Sequence, residues 1–193
     1  MSREEAYEQA AVCYRRAGYD LEAARCYRLA GAYRRAAEIY EASGDYPTAA
    51  AAFRDAGLRD LGAWLLVHNA GRPVQARALL GEPEAGADSR SPLRYRLVVA
   101  RCEIAEGASA DSIRPVVAQV CATLEDRQVR ADPVAEEWAV ALSETAARYD
   151  QAALVFAAAV RGGRDGAAQR WNAWSRRVLD ADLILPAIPD LAG

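Results

Sequence analysis

A thirteen-residue repeat constrains the fold of this chain more than any other feature of its sequence. When the first part of the chain is shifted by thirteen residues, alanine, an aromatic residue and glycine fall repeatedly in the same columns. The pattern is clear in residues 11–18, 24–31, 37–44 and 50–57, degenerate in 63–71 and fragmentary in 76–81. This regularity predicts an array of similar structural units.

Each unit is predicted to be a short helix followed by a tight turn. Ala23, Tyr27 and Ala30 have the i, i+4, i+7 spacing of one apolar helix face. Gly31 then supplies the left-handed conformation that ends a helix at low steric cost, and Gly44 takes the same place in the next unit. Because a helix of about ten residues is unstable alone in water, each unit must pack on its neighbours.

The aromatic residues of the array form two sets with different expected environments. The first set is expected to fill the core between helices and comprises Tyr14, Tyr27, Tyr40 and Phe53. The second set falls at turns, where a hydroxyl can reach water, and comprises Tyr19, Tyr33 and Tyr46. Tyr33 and Tyr46 are therefore candidates for lining a peptide groove.

One segment of the array resembles a known repeat family. Gly44-Asp45-Tyr46, followed by alanine, Phe53 and Ala56, resembles the second half of a tetratricopeptide repeat, and residues 149–159 repeat the match. The period of thirteen per helix departs from the family's unit of about 34 residues. It is closer to the shortened repeats of vesicle-fusion attachment adaptors and of helical arms on transport propellers. For residues 5–80, the resemblance implies an all-α, right-handed α-solenoid of antiparallel helix pairs without a β-sheet.

The remainder of the chain is predicted to contain longer helices. Four regions are expected: the repeat array (1–81), a Gly- and Pro-rich loop (82–92), longer helices with a C-terminal cap (93–180) and an extended apolar tail (181–193). Asp111 and Asp132-Pro133 are predicted to begin helices. Trp171 and Trp174 lie three residues apart on one face of the last predicted helix.

Composition narrows the classes of function. All 24 basic side chains are arginine, which excludes lysine chemistry and is typical of GC-rich bacterial genomes. The net charge of −3 argues against nucleic-acid binding, and we expect neither a signal peptide nor membrane insertion. A cytoplasmic location with reduced, buried cysteines is expected.

Catalytic, cofactor and metal sites are not expected. The four cysteines occupy apolar positions without a Cys-x-x-Cys pair, and His68 is the only histidine. Adjacent carboxylates such as Glu136-Glu137 diverge on a helix and make poor acid–base pairs. The chain is therefore interpreted as a non-enzyme that binds a protein or peptide.

Two groups of residues are candidates for partner binding. The first is a set of arginines. Arg15, Arg28 and Arg54 share one repeat column, in which Glu41 takes the remaining position, and Arg34 and Arg35 lie near it. These side chains form either a solvated, self-neutralising ladder or a groove that recognises an acidic or C-terminal carboxylate ligand. The second group is the apolar part of the tail: Leu183, Ile184, Leu185 and Ile188. This tail packs either on Trp171 and Trp174 or on a partner.

Two functional hypotheses follow from these groups. The first is an interaction scaffold or adaptor within a bacterial multi-protein assembly, with the groove as its binding surface. The second is a regulatory subunit that acts through its C-terminal tail. An enzyme of unknown type is the third and weakest alternative.

Overall fold

The computed structural model describes residues 1–82 and 91–185, which form eleven α-helices and one 3-10 turn and contain no β-strand. The helices are α1 (Arg3–Arg16), α2 (Asp20–Leu29), α3 (Tyr33–Ala42), α4 (Tyr46–Asp55), α5 (Arg59–His68), α6 (Pro73–Leu80), α7 (Ser91–Ala105), α8 (Arg114–Glu125), α9 (Pro133–Thr145), α10 (Tyr149–Arg161) and α11 (Ala167–Leu179). The 3-10 turn, Ala110–Ile113, precedes α8. The all-α prediction is confirmed for this part of the chain. None of these helices combines the length and apolar character that crossing a membrane requires.

The described helices belong to two compact units. The first unit contains α1 to α6 and residues Arg101–Glu106 at the end of α7. The second contains the beginning of α7 and all of α8 to α11. In the first unit each helix from α1 to α5 packs against the helix that follows it in the chain.

The turns after α1 to α4 share one hydrogen-bond pattern. Their glycines have φ between 75° and 80°: Gly18, Gly31, Gly44 and Gly57. Each glycine N–H donates to the carbonyl three residues earlier, and the next N–H donates to the carbonyl five residues earlier. This is the Schellman motif, which requires a left-handed residue directly after the helix cap. The predicted positive φ values of Gly31 and Gly44 are confirmed.

The repeat columns explain how the first unit is packed. Five alanines in one column are no more than 2% exposed: Ala11, Ala24, Ala37, Ala50 and Ala63. The aromatic column is also buried at Tyr27, Tyr40 and Phe53, as predicted, with 4–6% of each residue exposed. The prediction is wrong for Tyr14, which is 41% exposed. Tyr14 lies on α1, and the described chain has no helix before α1 to cover it.

In the second unit, two predicted helix starts have different outcomes. Asp132 caps α9, since its side chain accepts hydrogen bonds from the backbone N–H groups of Val134 (3.1 Å) and Ala135 (3.4 Å). Asp111 does not cap α8 and lies inside the 3-10 turn instead. Ser109 caps that turn by accepting a hydrogen bond from the Asp111 N–H. The Asp111 carboxylate is therefore left to pair with Arg114 and Arg148.

Aromatic residues of α10 and α11 form the core near the end of the described chain. Trp171 and Trp174 stack with ring centroids 5.4 Å apart, and both contact the ring of Phe156. All three residues are buried. Phe156 corresponds to Phe53 in the segment that repeats the tetratricopeptide-like pattern, and it has the same 4% exposure. The repeat column therefore predicts burial in both units.

Candidate functional site

A pocket on α1, α2 and α3 brings together two of the arginines predicted to bind a partner. Its volume is about 270 Å³. This is near the lower end of the range for small-ligand sites, so the pocket has room for the end of a peptide. Its lining residues are Arg15, Asp20, Tyr27, Arg35, Glu38, Ile39, Ala42 and Ser43. Two arginines and two carboxylates balance the formal charge of the lining.

Arg35 makes more direct contacts than Arg15, the other arginine that lines the pocket, although 62% of its side chain is exposed. Its guanidinium carbon lies 5.7 Å from the centre of the Tyr27 ring, which is within the range of a cation–π interaction. Its Nη1 atom donates to Glu8 Oε1 at 3.1 Å. A guanidinium carries five N–H donors, so one hydrogen bond to Glu8 leaves it able to bind a further carboxylate. The buried Tyr27 ring and Glu8 together hold Arg35 in place.

Arg15 is held more loosely than Arg35. Its Nε atom lies 3.9 Å from Asp20 Oδ1, a distance too long for a hydrogen bond. More than half of each side chain is exposed, at 58% for Arg15 and 62% for Asp20. A surface pair of this kind contributes little to stability. Arg15 can therefore turn toward an incoming anion at little cost.

The other predicted arginines lie outside the pocket lining. Arg34 forms a hydrogen-bonded pair with Glu38 along α3 at 3.0 Å, and it reaches the pocket only through that carboxylate. Arg28 is exposed on α2. Arg54 binds Asp55, its neighbour in the chain, at 2.9 Å. The arginine set therefore divides into pocket residues and residues with local acidic partners.

The predicted tyrosines are not lining residues of the pocket. Tyr33 and Tyr46 begin α3 and α4, and both are half-buried. Tyr46 packs against the core of the first unit. Tyr27, which was predicted only as a core residue, both fills the core and lines the pocket.

The described part of the tail is anchored at its first apolar residue. The indole N–H of Trp171 donates to the Leu183 carbonyl at 2.6 Å. Leu185 is half-buried, whereas Ile184 is 95% exposed. Ile188 lies outside the described residues.

The cysteines differ in exposure and reactivity. Cys102 is buried and its thiol donates to the Pro73 carbonyl, while Cys26 and Cys121 are half-buried. Burial raises the pKa of Cys102. Burial and the nearby Glu125 raise the pKa of Cys121 to about 11, so both thiols are poor nucleophiles at neutral pH. The prediction of burial is wrong for Cys13, which is exposed on α1.

His68 has a structural environment in the first unit. Its ring stacks on Trp64 with centroids 4.9 Å apart, and Arg101 Nε donates to its Nδ1 at 3.4 Å. Within residues 1–82 and 91–185, no group of three or more His, Cys, Asp or Glu side chains is placed to hold a metal ion.

Sequence reasoning missed six residues that line or support the pocket: Glu8, Asp20, Glu38, Ile39, Ala42 and Ser43. A signal for one of them was present. Glu8 and Arg35 are separated by 27 residues, which is two repeats plus one position. A search for opposite charges 26 or 27 residues apart would have included this contact between α1 and α3, together with the pair Glu8 and Arg34.

The chain matches no family model, and the searches of curated proteins and of solved structures also returned no match.

Proposed function

We propose that this chain is a non-catalytic scaffold or adaptor that binds a protein segment in the pocket of α1–α3. The observation that carries this proposal is the Arg35 guanidinium, which is held over the Tyr27 ring and faces a pocket of about 270 Å³. A guanidinium that already contacts the Tyr27 ring and Glu8 loses less side-chain freedom on binding a carboxylate than one without such contacts. The proposed ligand is the free C-terminus, or an acidic side chain, of a partner protein.

The proposal extends to the fold, the cellular location and the kind of assembly. The short turns and the sequential packing of α1 to α5 support a right-handed solenoid of antiparallel helix pairs, similar to shortened tetratricopeptide repeats. The lysine-free composition and the free cysteines suit a bacterial cytoplasmic protein. We assign the chain to a multi-protein assembly in that compartment, with neither nucleic acid nor membrane as its partner.

The test is a selection from a random-peptide library with free C-termini, followed by fluorescence polarisation. Selected peptides should bind the wild type, and their C-terminal amides should bind at least about tenfold more weakly, because one charge-assisted pair is lost. Arg35→Gln should cause a similar loss. Arg54→Gln is the matched control, since Arg54 is an exposed arginine whose partner is Asp55.

Equal binding of acid and amide peptides, or an Arg35→Gln variant that binds as well as wild type, would contradict the pocket assignment. Circular dichroism of each variant should show unchanged helix content. A loss of helix in Arg35→Gln would show that the residue acts through folding, and the acid–amide comparison on wild type would then decide the question.

A second candidate function rests on the tail. Leu183 is fixed by Trp171 while the next residue, Ile184, is almost fully exposed. This arrangement supports a regulatory subunit that presents its tail to a partner. In that case Ile184→Asp should abolish partner capture without lowering the melting temperature, while Arg35→Gln should have no effect on capture.

A further inference from the structure

The pocket of α1–α3 extends along two turns of helix. Asp20 and Tyr27 line it from one face of α2, where they lie seven residues apart. Arg35 and Ala42 line it from one face of α3 with the same separation. The Arg35 guanidinium lies over the Tyr27 ring. Because seven residues of helix rise about 10 Å, Asp20 lies about that far along α2 from the residue that Arg35 contacts.

Asp20 is the lining carboxylate with the most unused hydrogen-bonding capacity. The cation paired with it, Arg15, is 3.9 Å away, which is too far for a hydrogen bond. Glu38, the other lining carboxylate, already accepts a hydrogen bond from Arg34 at 3.0 Å. Within the part of the chain that the structure describes, no side chain and no backbone N–H group donates to the Asp20 carboxylate. Both of its oxygen atoms are therefore able to accept hydrogen bonds from a ligand.

The charged groups in and around the pocket sum to zero. They form three ion pairs, Arg15 with Asp20, Arg34 with Glu38, and Arg35 with Glu8. A ligand carboxylate bound to Arg35 therefore adds one uncompensated negative charge, and a second acidic group on the ligand would add another. A cationic group on the same ligand restores neutrality, and the Asp20 carboxylate has the free acceptors to bind it.

We propose that the pocket selects a C-terminal segment with a basic side chain at the third residue from its end. This inference rests on the proposed binding of the terminal carboxylate by Arg35. Three residues of extended peptide span about 10 Å, which matches the separation between the Arg35 contact and Asp20. An arginine or lysine at this place donates to Asp20, whereas an acidic side chain there is repelled by it. Of the two ligands considered above, the free C-terminus is favoured over an acid-rich segment.

Selection from a hexapeptide library with free C-termini, randomised at its last four residues, tests this specificity. In peptides selected by the wild type, arginine and lysine should be at least about threefold enriched over aspartate and glutamate at the third residue from the end. Asp20→Asn should abolish this preference while the peptides still bind. Glu22→Gln is the matched control, since Glu22 lies in the same first turn of α2 but outside the pocket lining, and it should keep the preference.

Loss of the specificity and loss of the carboxylate site have different signatures. Peptides that bind better than their C-terminal amides but show no basic preference at this position overturn the present inference alone. A basic preference that persists in Asp20→Asn does the same. A library that yields no binding peptide, or peptides whose amides bind equally well, contradicts the carboxylate site itself, and the inference fails with it. Side chains of Asp20 and Glu22 are 62% and 45% exposed, so both variants should keep the wild-type helix content by circular dichroism.

Discussion

At the scale of single residues, two adjacent glycines end α10 for different physical reasons. Gly162 has φ of −72°, but a Cβ atom there would overlap the Leu124 carbonyl oxygen and lie 2.9 Å from its carbonyl carbon. Gly163 has φ of 67°, and a Cβ atom there would meet no atom within 4 Å. The first glycine is required by close packing and the second by backbone conformation.

The two glycines should therefore respond differently to alanine. Gly162→Ala should lower the free energy of unfolding by about 3 kcal/mol, because backbone atoms of α8 must move. Gly163→Ala should cost about 1–2 kcal/mol, which is the strain of a left-handed alanine. Urea unfolding followed by tryptophan fluorescence measures both. A Gly162→Ala variant as stable as Gly163→Ala would show that the α8–α10 contact is looser than described.

Ala147 lies in the same kind of turn and allows the opposite substitution, alanine to glycine. It has φ of 52°, its N–H donates to the Glu144 carbonyl, and the next N–H donates to the Ser143 carbonyl. This is the turn that ends the repeat helices, with alanine in the place of glycine. Ala147→Gly should raise the free energy of unfolding by about 0.5–1 kcal/mol, because relief of strain exceeds the added chain entropy. Thermal unfolding measures the gain, and a lower melting temperature would contradict the strained conformation.

At the scale of an element, the start of α9 is stabilised by a half-buried ion pair. Asp132 accepts hydrogen bonds from Arg94 at 2.6 and 2.7 Å in addition to those from the helix backbone. Burial alone would raise the pKa of Asp132, but Arg94 and the two backbone N–H groups outweigh it and lower that pKa. A carboxylate with a depressed native pKa stabilises the fold above its unfolded pKa, and this contribution is lost as pH falls through the native pKa.

Asp132→Asn should therefore make the free energy of unfolding less dependent on pH in the acidic range. The wild type should lose more free energy of unfolding than the variant between about pH 6 and pH 3, since the unfolded pKa of Asp is near 3.9. At pH 6 the variant should be about 1–3 kcal/mol less stable, because Arg94 loses its charged partner. Urea titrations at both pH values test this, with the exposed Asp55→Asn as control. Equal acid sensitivity in wild type and Asp132→Asn would contradict the assigned role.

The helices of the array could be predicted because each carries its own period and turn signal. Gly31 and Tyr27 have the predicted conformation and burial because these depend on the helix itself and its nearest neighbours. Tyr14 has the same local sequence, but 41% of it is exposed because none of the described helices covers it. The prediction that Asp111 caps α8 was wrong because a 3-10 turn capped by Ser109 precedes that helix, and Ile113 takes the cap position of α8 without a side-chain hydrogen bond.

The candidate site was less predictable than the helices. The repeat column pointed to arginines, but the pocket depends on contacts between helices that are not neighbours in sequence, such as Arg35 with Glu8. Some arginines bind acidic residues close to them in the chain, and others face the pocket. This difference depends on side-chain positions that the thirteen-residue pattern does not encode. Arg54 and Arg15 share a column yet have different surroundings.

At the scale of the whole molecule, the proposed peptide-binding pocket of α1–α3 lies in the first of two compact units. Arg164 illustrates a structural role in the second unit, where its guanidinium donates to four backbone carbonyls, those of Thr123, Leu124, Asp126 and Val129. Arg164 therefore serves structure in the second unit, whereas Arg15 and Arg35 of the first unit are proposed to serve recognition.

Amide chemical-shift mapping with a selected free-carboxylate peptide tests the central claim most directly. Saturating peptide should shift amide signals in α1–α3, most strongly beside Arg35, Tyr27 and Asp20, while the signals of α8–α11 stay in place. The C-terminal amide of the same peptide should cause much smaller shifts at equal concentration. Shifts confined to α8–α11, or equal shifts with both peptides, would contradict the account.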